Sequence, residues 1–266
     1  MSTCSRTGPE IEIAPDLVEE ALFLWMRAAA DRGEDALVAR WERGREAAYR
    51  ERSGSARASA FRALARSWSR ELELEAPLGS ALERCPHASE RIERVLVRKV
   101  ARARDEGSEL YVDESGTDAV ARARLTLTLR ARTFLDPREL FETALREFLH
   151  AEDMLDPDFG YRPSLPAELA EEPARHELVR DRLRVLWEAR VAGRMAALGG
   201  GSGPLPDPTP AFRRAFSAVP PESCRAIWND AQRQRPRSWD GMMAVARSPG
   251  EARAGRDGPS GAAAPP

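Results

Sequence analysis

Apolar residues in the first hundred positions recur every three or four residues, which is the spacing of one face of an α-helix. This pattern predicts helices from residue 16 to about residue 104, with the apolar stripes packed in a core. The first 15 residues lack such a stripe, and we expect them to form a flexible N-terminus. The stripes are Leu17, Ala21, Leu24 and Ala28; Leu37, Trp41 and Ala48; Phe61, Leu64, Ala65 and Trp68; and Ile92, Val95, Leu96 and Val100.

Between Ser108 and Tyr161 the pattern changes from helical spacing to alternation. Residues 109–112 predict a short strand, and residues 114–116 predict the turn that follows it. The run Leu-Thr-Leu-Thr-Leu at 125–129 alternates strictly, as a strand with one buried face does. We therefore expect a small strand unit in the middle of an otherwise helical chain.

A further helix is expected to begin at Pro137, where the missing N–H of proline costs nothing. Asp136 is suited to cap this helix, and Glu139, three residues later, would complete a capping box. Its two sides differ in polarity. The apolar side carries Leu140, Phe141, Ala144, Leu145, Phe148 and Leu149, and the other carries Glu142, Thr143, Arg146, Glu147, His150 and Asp153.

The C-terminal third divides by composition. A long helix is predicted over residues 176–198, and the Gly- and Pro-rich residues 199–210 predict a linker. Residues 211–247 predict an appendage of short helices, and residues 248–266 predict a disordered tail. The expected fold is α+β and mainly helical: a main domain over residues 16–198, which includes the strand unit, and a C-terminal helical appendage.

Charge and composition exclude several classes of function. The 41 basic and 43 acidic residues give a net charge of -2, so no overall positive field draws the chain to nucleic acid. The N-terminal residues lack the features of a signal peptide, and Arg27 interrupts the longest apolar run, so neither secretion nor membrane insertion is expected. Cys4, Cys85 and Cys224 contain no CxxC pair, so no disulfide framework is predicted. We expect a cytoplasmic protein.

One stretch, Arg-Glu-Phe-Leu-His at 146–150, has the frame of a catalytic motif. In the HExxH motif two histidines four residues apart bind one zinc ion, and the glutamate acts on the metal-bound water as general base. Glu147 occupies the place of the glutamate, His150 that of the second histidine, and Arg146 that of the first. The stretch therefore resembles the active helix of a zincin-like metallopeptidase with one ligand replaced.

The resemblance covers roughly residues 109–161. In the metzincin-like pattern a glycine and a third ligand follow the second histidine by three and six residues, where this chain has Asp153 and Asp156. Zinc accepts a carboxylate, so Asp156 is chemically suitable, whereas Asp153 departs from the glycine. The strand at 125–129, shortly before the helix, also resembles the zincin arrangement and implies a zincin-like strand and helix unit.

Arg146 decides which function the resemblance implies. A guanidinium group has donors only and remains protonated, so it cannot bind a metal ion. We expect Arg146 to replace the metal electrostatically, paired with Glu142, Asp153 or Asp156, in a site without hydrolysis. The leading prediction is therefore a catalytically degenerate protein that needs no cofactor and binds a protein or peptide.

Two other functions remain open. An active metal-dependent hydrolase would use Glu147 as base and hold zinc through His150, Asp156 and His176. His176 begins a second fragment, His-Glu-Leu-Val-Arg, in which Arg180 stands where a second histidine is needed, and a helix start is its simpler role. The third possibility is a helical adaptor without any catalytic site, in which residues 146–150 lie on the solvated side of an amphipathic helix.

The acidic residues at 152–158 follow the motif at the end of its helix, where the helix dipole favours cations. They therefore require a cationic partner, for which Arg146, Arg162 or a metal ion are the candidates. A calcium loop is not indicated, because the carboxylates do not follow the one-three-five order of ligands and Pro157 interrupts the stretch. The glycines at 199–203 follow a helix and predict a linker, not a phosphate cradle.

Overall fold

The computed structural model describes residues 9–113, 122–200 and 205–250. Over those ranges the chain forms ten α-helices and four strands, so the expected α+β, mainly helical class is confirmed. Two compact units are present, Met1–Ala151 and Glu152–Pro266. No helix in the described ranges is both long and apolar enough to cross a membrane.

The first unit contains all four strands and the helices that surround them in the chain. Along the chain, helices α1, α2 and α3 come between the first and second strands, and these three helices pack on one another. The elements are β1 (Glu10–Ile13), α1 (Pro15–Asp31), α2 (Asp35–Tyr49), α3 (Gly54–Glu71), α4 (Ala76–Leu82), α5 (Pro86–Arg91), β2 (Ile92–Lys99), β3 (Gly107–Asp113), β4 (Arg122–Leu129) and α6 (Pro137–Leu155), the last of which continues into the second unit.

The strands form one sheet in the order β1-β2-β4-β3, with β1, β2 and β4 parallel and β3 antiparallel to β4. The predictions for residues 109–112 and 125–129 are confirmed by β3 and β4, whereas the turn expected at 114–116 lies outside the described residues. Leu125, Leu127 and Leu129 are fully buried on one face of β4. Their alternation with threonine is therefore the pattern of a sheet covered on one face.

The helix predicted over Ile92 and Val95 is wrong, since these residues belong to β2. The register of β2 against β4 shifts between Ile92 and Arg94, which leaves Glu93 as an additional residue. This bulge brings Ile92 and Val95 to the same buried face although they are three residues apart. Beyond it Val95 and Val97 follow the two-residue period of a strand, so the bulge alone produced the helical spacing.

The flexible N-terminus expected through residue 15 is also wrong in part, because Glu10–Ile13 form β1. Ile11 and Ile13 pair in register with Val95 and Val97 of β2. The sequence Glu-Ile-Glu-Ile alternates, but over only four residues it is too short to stand out from its surroundings. Residues 1–8 lie outside the part of the chain that the structure describes.

Helices α2 and α3 approach each other closely at a glycine. A Cβ atom on Gly44 would lie 2.7 Å from the Cδ1 atom of Leu64. Near this point Trp41 packs edge-on against Trp68, with ring centroids 5.6 Å apart. The apolar stripes predicted for α2 and α3 therefore do meet in a core. Gly44, which has no side chain, leaves room for Leu64 at the point of closest approach.

The second unit is built around the long helix α7 (Pro173–Ala197). Helices α8 (Pro210–Ala215), α9 (Pro221–Gln232) and α10 (Trp239–Arg247) pack on α7 over a shared apolar core. The approach of α7 to α9 is close, since a Cβ atom on Gly193 would lie 2.0 Å from the carbonyl oxygen of Gln232. The residues that dominate this core include Val179, Leu183, Leu186, Phe212, Phe216, Trp228 and Met242.

This packing differs from the expected division into a main domain and an appendage after residue 198. Helix α7 shares its core with α8, α9 and α10, and the division falls between Ala151 and Glu152. The Gly- and Pro-rich composition of residues 199–210 predicts a linker but carries no information about which helices share a core. Within that segment residues 201–204 lie outside the described part, as do residues 251–266 of the tail.

Candidate functional site

Helix α6, which carries the motif, begins as expected. The N–H of Arg138 donates to Oδ1 of Asp136 at 2.9 Å, so the predicted cap is confirmed. Glu139, the residue expected to complete the capping box, has its carboxylate 4.0 Å from the guanidinium of Arg130. The start of α6 is thus fixed by Asp136 and by charges from the segment that connects β4 to α6.

The start of β3 is held against the end of β4 by a largely buried carboxylate. Glu106 accepts hydrogen bonds from the backbone N–H of Arg130 at 3.0 Å and from the hydroxyl of Thr133 at 2.9 Å. Its second oxygen lies 3.0 Å from Nε of Arg130. The hydroxyl of Thr128 in addition donates to the carbonyl of Gly107 at 3.1 Å. These contacts connect the start of β3 with the end of β4 and with the segment that leads to α6.

Ser108, the second residue of β3, is hydrogen-bonded to the motif glutamate. Its hydroxyl donates to Oε2 of Glu147 at 2.8 Å, and both side chains are half-buried. Ser108 pairs with Leu127 across the sheet, so it lies on the face that the buried leucines of β4 share. The motif side of α6 therefore lies beside the edge strand of the sheet.

Arg146 does not pair with the carboxylates expected for it. Its side chain is exposed, and within the described ranges it makes no hydrogen bond or ion pair. Glu142 instead accepts a hydrogen bond from Nε of Arg138 at 2.8 Å, and Asp153 is bound by other arginines, as described below. The prediction that Arg146 pairs with Glu142, Asp153 or Asp156 is wrong, because Arg138 holds Glu142 and arginines of α7 hold Asp153, while the side chain of Arg146 stays exposed.

The residues predicted as metal ligands do not form a cluster. His150 is half-buried on α6, and His176 lies in the first turns of α7. Oδ1 of Asp156 accepts the N–H of Asp158 at 2.8 Å, which makes a turn just after α6. Among the residues that the structure describes, no three His, Cys, Asp or Glu side chains come together as a group able to hold a metal ion.

Asp153 lies in the second unit and is almost completely buried. It accepts hydrogen bonds from Nε1 of Trp187 at 2.8 Å, Nε of Arg190 at 3.1 Å and Nη1 of Arg194 at 2.5 Å. Asp153, at the acidic end of α6, therefore finds its cationic partners in α7 and not in Arg146 or Arg162. Arg162 pairs instead with Asp240, at 3.1 Å.

Sequence reasoning missed these three partners of Asp153, although a signal was present. Trp187, Arg190 and Arg194 are separated by three and four residues, so they share one face of a helix. Arg190 is buried on α7, where a guanidinium needs polar partners, and Asp153 provides the carboxylate.

The outer part of β3 is exposed. The side chains of Tyr111 and Val112 are 57% and 42% exposed, which is high for residues of this size. The hydroxyl of Tyr111 donates to Oε2 of Glu109 at 2.5 Å, and this hydrogen bond raises the pKa of Tyr111. The strand beside Glu147 therefore offers both apolar and polar groups to solvent.

No protein-family model, curated protein or solved structure matches this chain. A function is therefore inferred from the geometry of β3 and α6 and from the chemistry of Arg146 and Glu147.

Proposed function

We propose that this chain is a catalytically degenerate, zincin-like protein that binds an extended segment of a peptide or protein along β3. The observation that carries the proposal is the hydrogen bond from Ser108 to Glu147. It joins the edge strand to the helix with the degenerate motif, so a segment paired with β3 would run past Glu147 and its neighbour Arg146.

The backbone of β3 supports strand addition. The N–H of Val100 donates to the carbonyl of Leu129 at 3.0 Å, so the ladder directs alternate residues of β4 from Leu129 towards β2 and the intervening ones towards β3. By the same alternation Ser108, Leu110 and Val112 direct their N–H and C=O groups away from β4. An edge strand with such groups is a template for an extended chain.

The chemistry of the motif supports binding over hydrolysis. A general base must direct its carboxylate at an activated water, whereas Glu147 accepts a hydrogen bond from Ser108. Arg146 offers an exposed guanidinium, which recognises carboxylates through two parallel hydrogen bonds. The bound segment is therefore expected to carry a carboxylate, either as an acidic side chain or as a C-terminus.

Binding is tested by selecting displayed random peptides on the full chain and measuring the affinity of the selected peptides by fluorescence anisotropy. Val112→Pro removes an outward N–H but keeps the pairing with β4, so we expect it to weaken binding by about tenfold or more. Val112→Thr, which keeps the N–H and the branched Cβ, is the matched control. Equal affinities for the two variants would contradict addition to β3.

Hydrolysis is tested in parallel with quenched fluorescent peptides and metal analysis. We expect wild-type protein to show no cleavage beyond that of Glu147→Gln, with or without added zinc. Cleavage that requires Glu147, together with zinc retained at roughly one ion per chain, would overturn the proposal in favour of an active hydrolase.

A further inference from the structure

At the edge of the sheet opposite β3, a cleft borders strand β1. A cavity of about 350 Å³ opens between β1 and α3. Ile11, Glu12 and Ile13, three consecutive residues of β1, line it. Because successive side chains of a strand point to opposite faces, a cavity touched by all three borders the backbone edge of the strand.

That edge is open in the part of the chain that the structure describes. The N–H of Ala14 donates to the carbonyl of Val97 at 2.9 Å, so Ala14 and Glu12 direct their backbone groups towards β2. By alternation Ile11 and Ile13 direct theirs to the cavity. Strand β1 pairs only with β2 in the described sheet, so a further strand has donors and acceptors available there.

The opposite wall of the cavity is a row of arginines on α3. Arg62, Arg66 and Arg70 are each four residues apart, and all three are exposed. None of them forms an ion pair among the described residues, and Arg70 donates only to the carbonyl of Arg66 at 3.3 Å. The wall therefore presents three guanidinium groups that have no carboxylate partner among the residues the structure describes.

The spacing of this row matches an extended chain. Four residues of helix rise about 6 Å. Two residues of strand rise about 6.6 Å. A strand added to β1 along this row would therefore match the spacing of Arg62, Arg66 and Arg70 with every second side chain. Carboxylates at those positions would form ion pairs with the three guanidinium groups.

The carboxylates in the cavity wall do not replace such a ligand. Glu12 lies on the other face of β1 from Ile11 and Ile13, and its carboxylate is 4.0 Å from Arg94. Glu19 and Glu75 are exposed residues of the wall that form no ion pair with the arginine row within 4 Å in the described ranges. In an added strand, the residues that alternate with the acidic ones would lie on the same face as Glu12. We expect these residues to be neutral or basic.

An aromatic hollow of about 620 Å³ continues from the cavity, since Pro15, Glu19, Arg62 and Ala65 line both. Phe23 and Tyr49 in its wall are 54% and 56% exposed. Tyr49 packs edge-on against Phe61, with ring centroids 5.0 Å apart. Large apolar side chains exposed together mark an interaction site, and the hollow can accept an aromatic anchor. The aromatic residues of the wall are Phe23, Trp41, Tyr49 and Phe61.

We propose that the cleft between β1 and α3 binds an extended acidic segment of a partner protein, which adds as a strand to β1. Its carboxylates, at every second position, pair with Arg62, Arg66 and Arg70. An aromatic residue flanking the acidic stretch enters the neighbouring hollow. This site is independent of β3 and Glu147.

The probe is a fluorescein-labelled peptide of about nine residues, in which aspartate alternates with valine between two terminal tryptophans. The reference peptide has the same composition with its aspartates consecutive. Binding to the full chain is measured by anisotropy at low salt and at physiological salt. We expect the alternating peptide to bind about tenfold more tightly than the reference and to weaken as salt rises.

Two pairs of variants separate the contributions. Charge reversal in the double variant Arg66→Glu, Arg70→Glu should weaken the alternating peptide by about tenfold, whereas Arg43→Glu, an exposed arginine of α2 outside both cavities, should change it by less than about twofold. Ile11→Pro, which removes an outward N–H, should weaken binding, and Ile11→Val should not.

Three outcomes would overturn the proposal. These are equal binding of the two peptides, no effect of charge reversal on α3, and binding of a single-stranded oligonucleotide in place of the peptide. The result is distinguishable from a failure of the proposed function, because Val112→Pro on β3 should leave binding of the acidic peptide unchanged. Circular dichroism and thermal unfolding of each variant confirm that the fold is retained.

Discussion

The carboxylate of Asp153 and the guanidinium of Arg190 form a two-point ion pair in the interior of the second unit. Nε lies 3.1 Å from Oδ2, and Nη2 lies 3.4 Å from Oδ1. Arg194, one turn later on α7, holds Oδ1 as well. A single buried carboxylate thus accepts hydrogen bonds from two guanidinium groups, and its removal would take the anion from both.

The first prediction follows from this arrangement. Asp153→Asn should lower the free energy of unfolding by about 3 kcal/mol, because an unpaired buried charge costs far more than the pair contributes. Chemical denaturation followed by tryptophan fluorescence measures the change, since Trp187 also contacts Asp153. Asp158→Asn, an exposed neighbour, is the control and should change stability by less than about 0.5 kcal/mol. A loss below about 1 kcal/mol for Asp153→Asn would contradict a dry, tightly paired site.

Two glycines give opposite predictions. Gly193→Ala should destabilise the second unit by about 1–3 kcal/mol, because its Cβ atom would overlap the backbone of Gln232 and separate α7 from α9. Gly79→Ala, within α4, meets no atom within 4 Å and should stabilise by about 0.5–1 kcal/mol through helix propensity. Calorimetry of both variants measures the two effects, and an unchanged Gly193→Ala would mean that α7 and α9 do not pack so closely.

Alkaline titration provides a third prediction. Burial raises the pKa of Tyr161, since the phenolate is disfavoured beside Trp187 and Trp239. The hydrogen bond to Glu109 raises the pKa of Tyr111. Absorbance at alkaline pH, with single Tyr→Phe variants for assignment, should therefore show both hydroxyls ionising above the usual pKa of about 10.

The causes of the two shifts are separable. Glu109→Gln should lower the pKa of Tyr111 towards its ordinary value and leave Tyr161 unchanged. For Tyr161 the folded state holds the proton more strongly than the unfolded chain. Its contribution to stability is therefore complete below about pH 10 and is lost as the pH rises through the raised pKa. A pKa of about 10 for Tyr161, the ordinary value for tyrosine, would contradict its burial.

The resemblance to zincins is tested by restoring the missing imidazole. Arg146→His places two imidazoles four residues apart on α6, and we expect this variant to bind zinc more tightly than the wild-type protein does. Arg180→His is the matched control, because it completes the same spacing with His176 on α7, a helix of the second unit, in which the described residues form no strand. Tighter binding by Arg146→His supports the kinship. Equal binding would mean that any helical histidine pair suffices, and no binding by either would remove the support.

Local sequence signals predicted the elements that surround the motif. The alternation at 125–129 and the Asp136-Pro137 pair act within a few residues, so β4 and the start of α6 could be predicted without tertiary information. Ile92 and Val95 misled the same reasoning, because the additional residue Glu93 changes the period of the pattern. A bulge is defined by its partner strand and is invisible in one strand alone.

The partners of the site residues were not predictable in the same way. Asp153 and its partners Arg190 and Arg194 are 37 and 41 residues apart in the chain. The acidic end of α6 was expected to need a cation, and Asp153 does bind two arginines. The sequence contains many arginines, and nothing in it indicates which of them lie close to Asp153. The hydrogen bond from Ser108 to Glu147 likewise joins residues 39 apart and depends on the position of β3 in the sheet.

The additional residue at Glu93 also governs how the chain passes from α5 into the sheet. Without it, Ile92 would be out of phase with Val95 and Val97, and its side chain would turn from the interior to solvent. The bulge acts as a spacer that lets a strand start immediately after a helix while all three apolar side chains stay inside. If the chain were one residue shorter there, one of two changes would follow. Either the last turn of α5 would unwind, or the side chains of β2 would exchange the buried and exposed faces of the sheet.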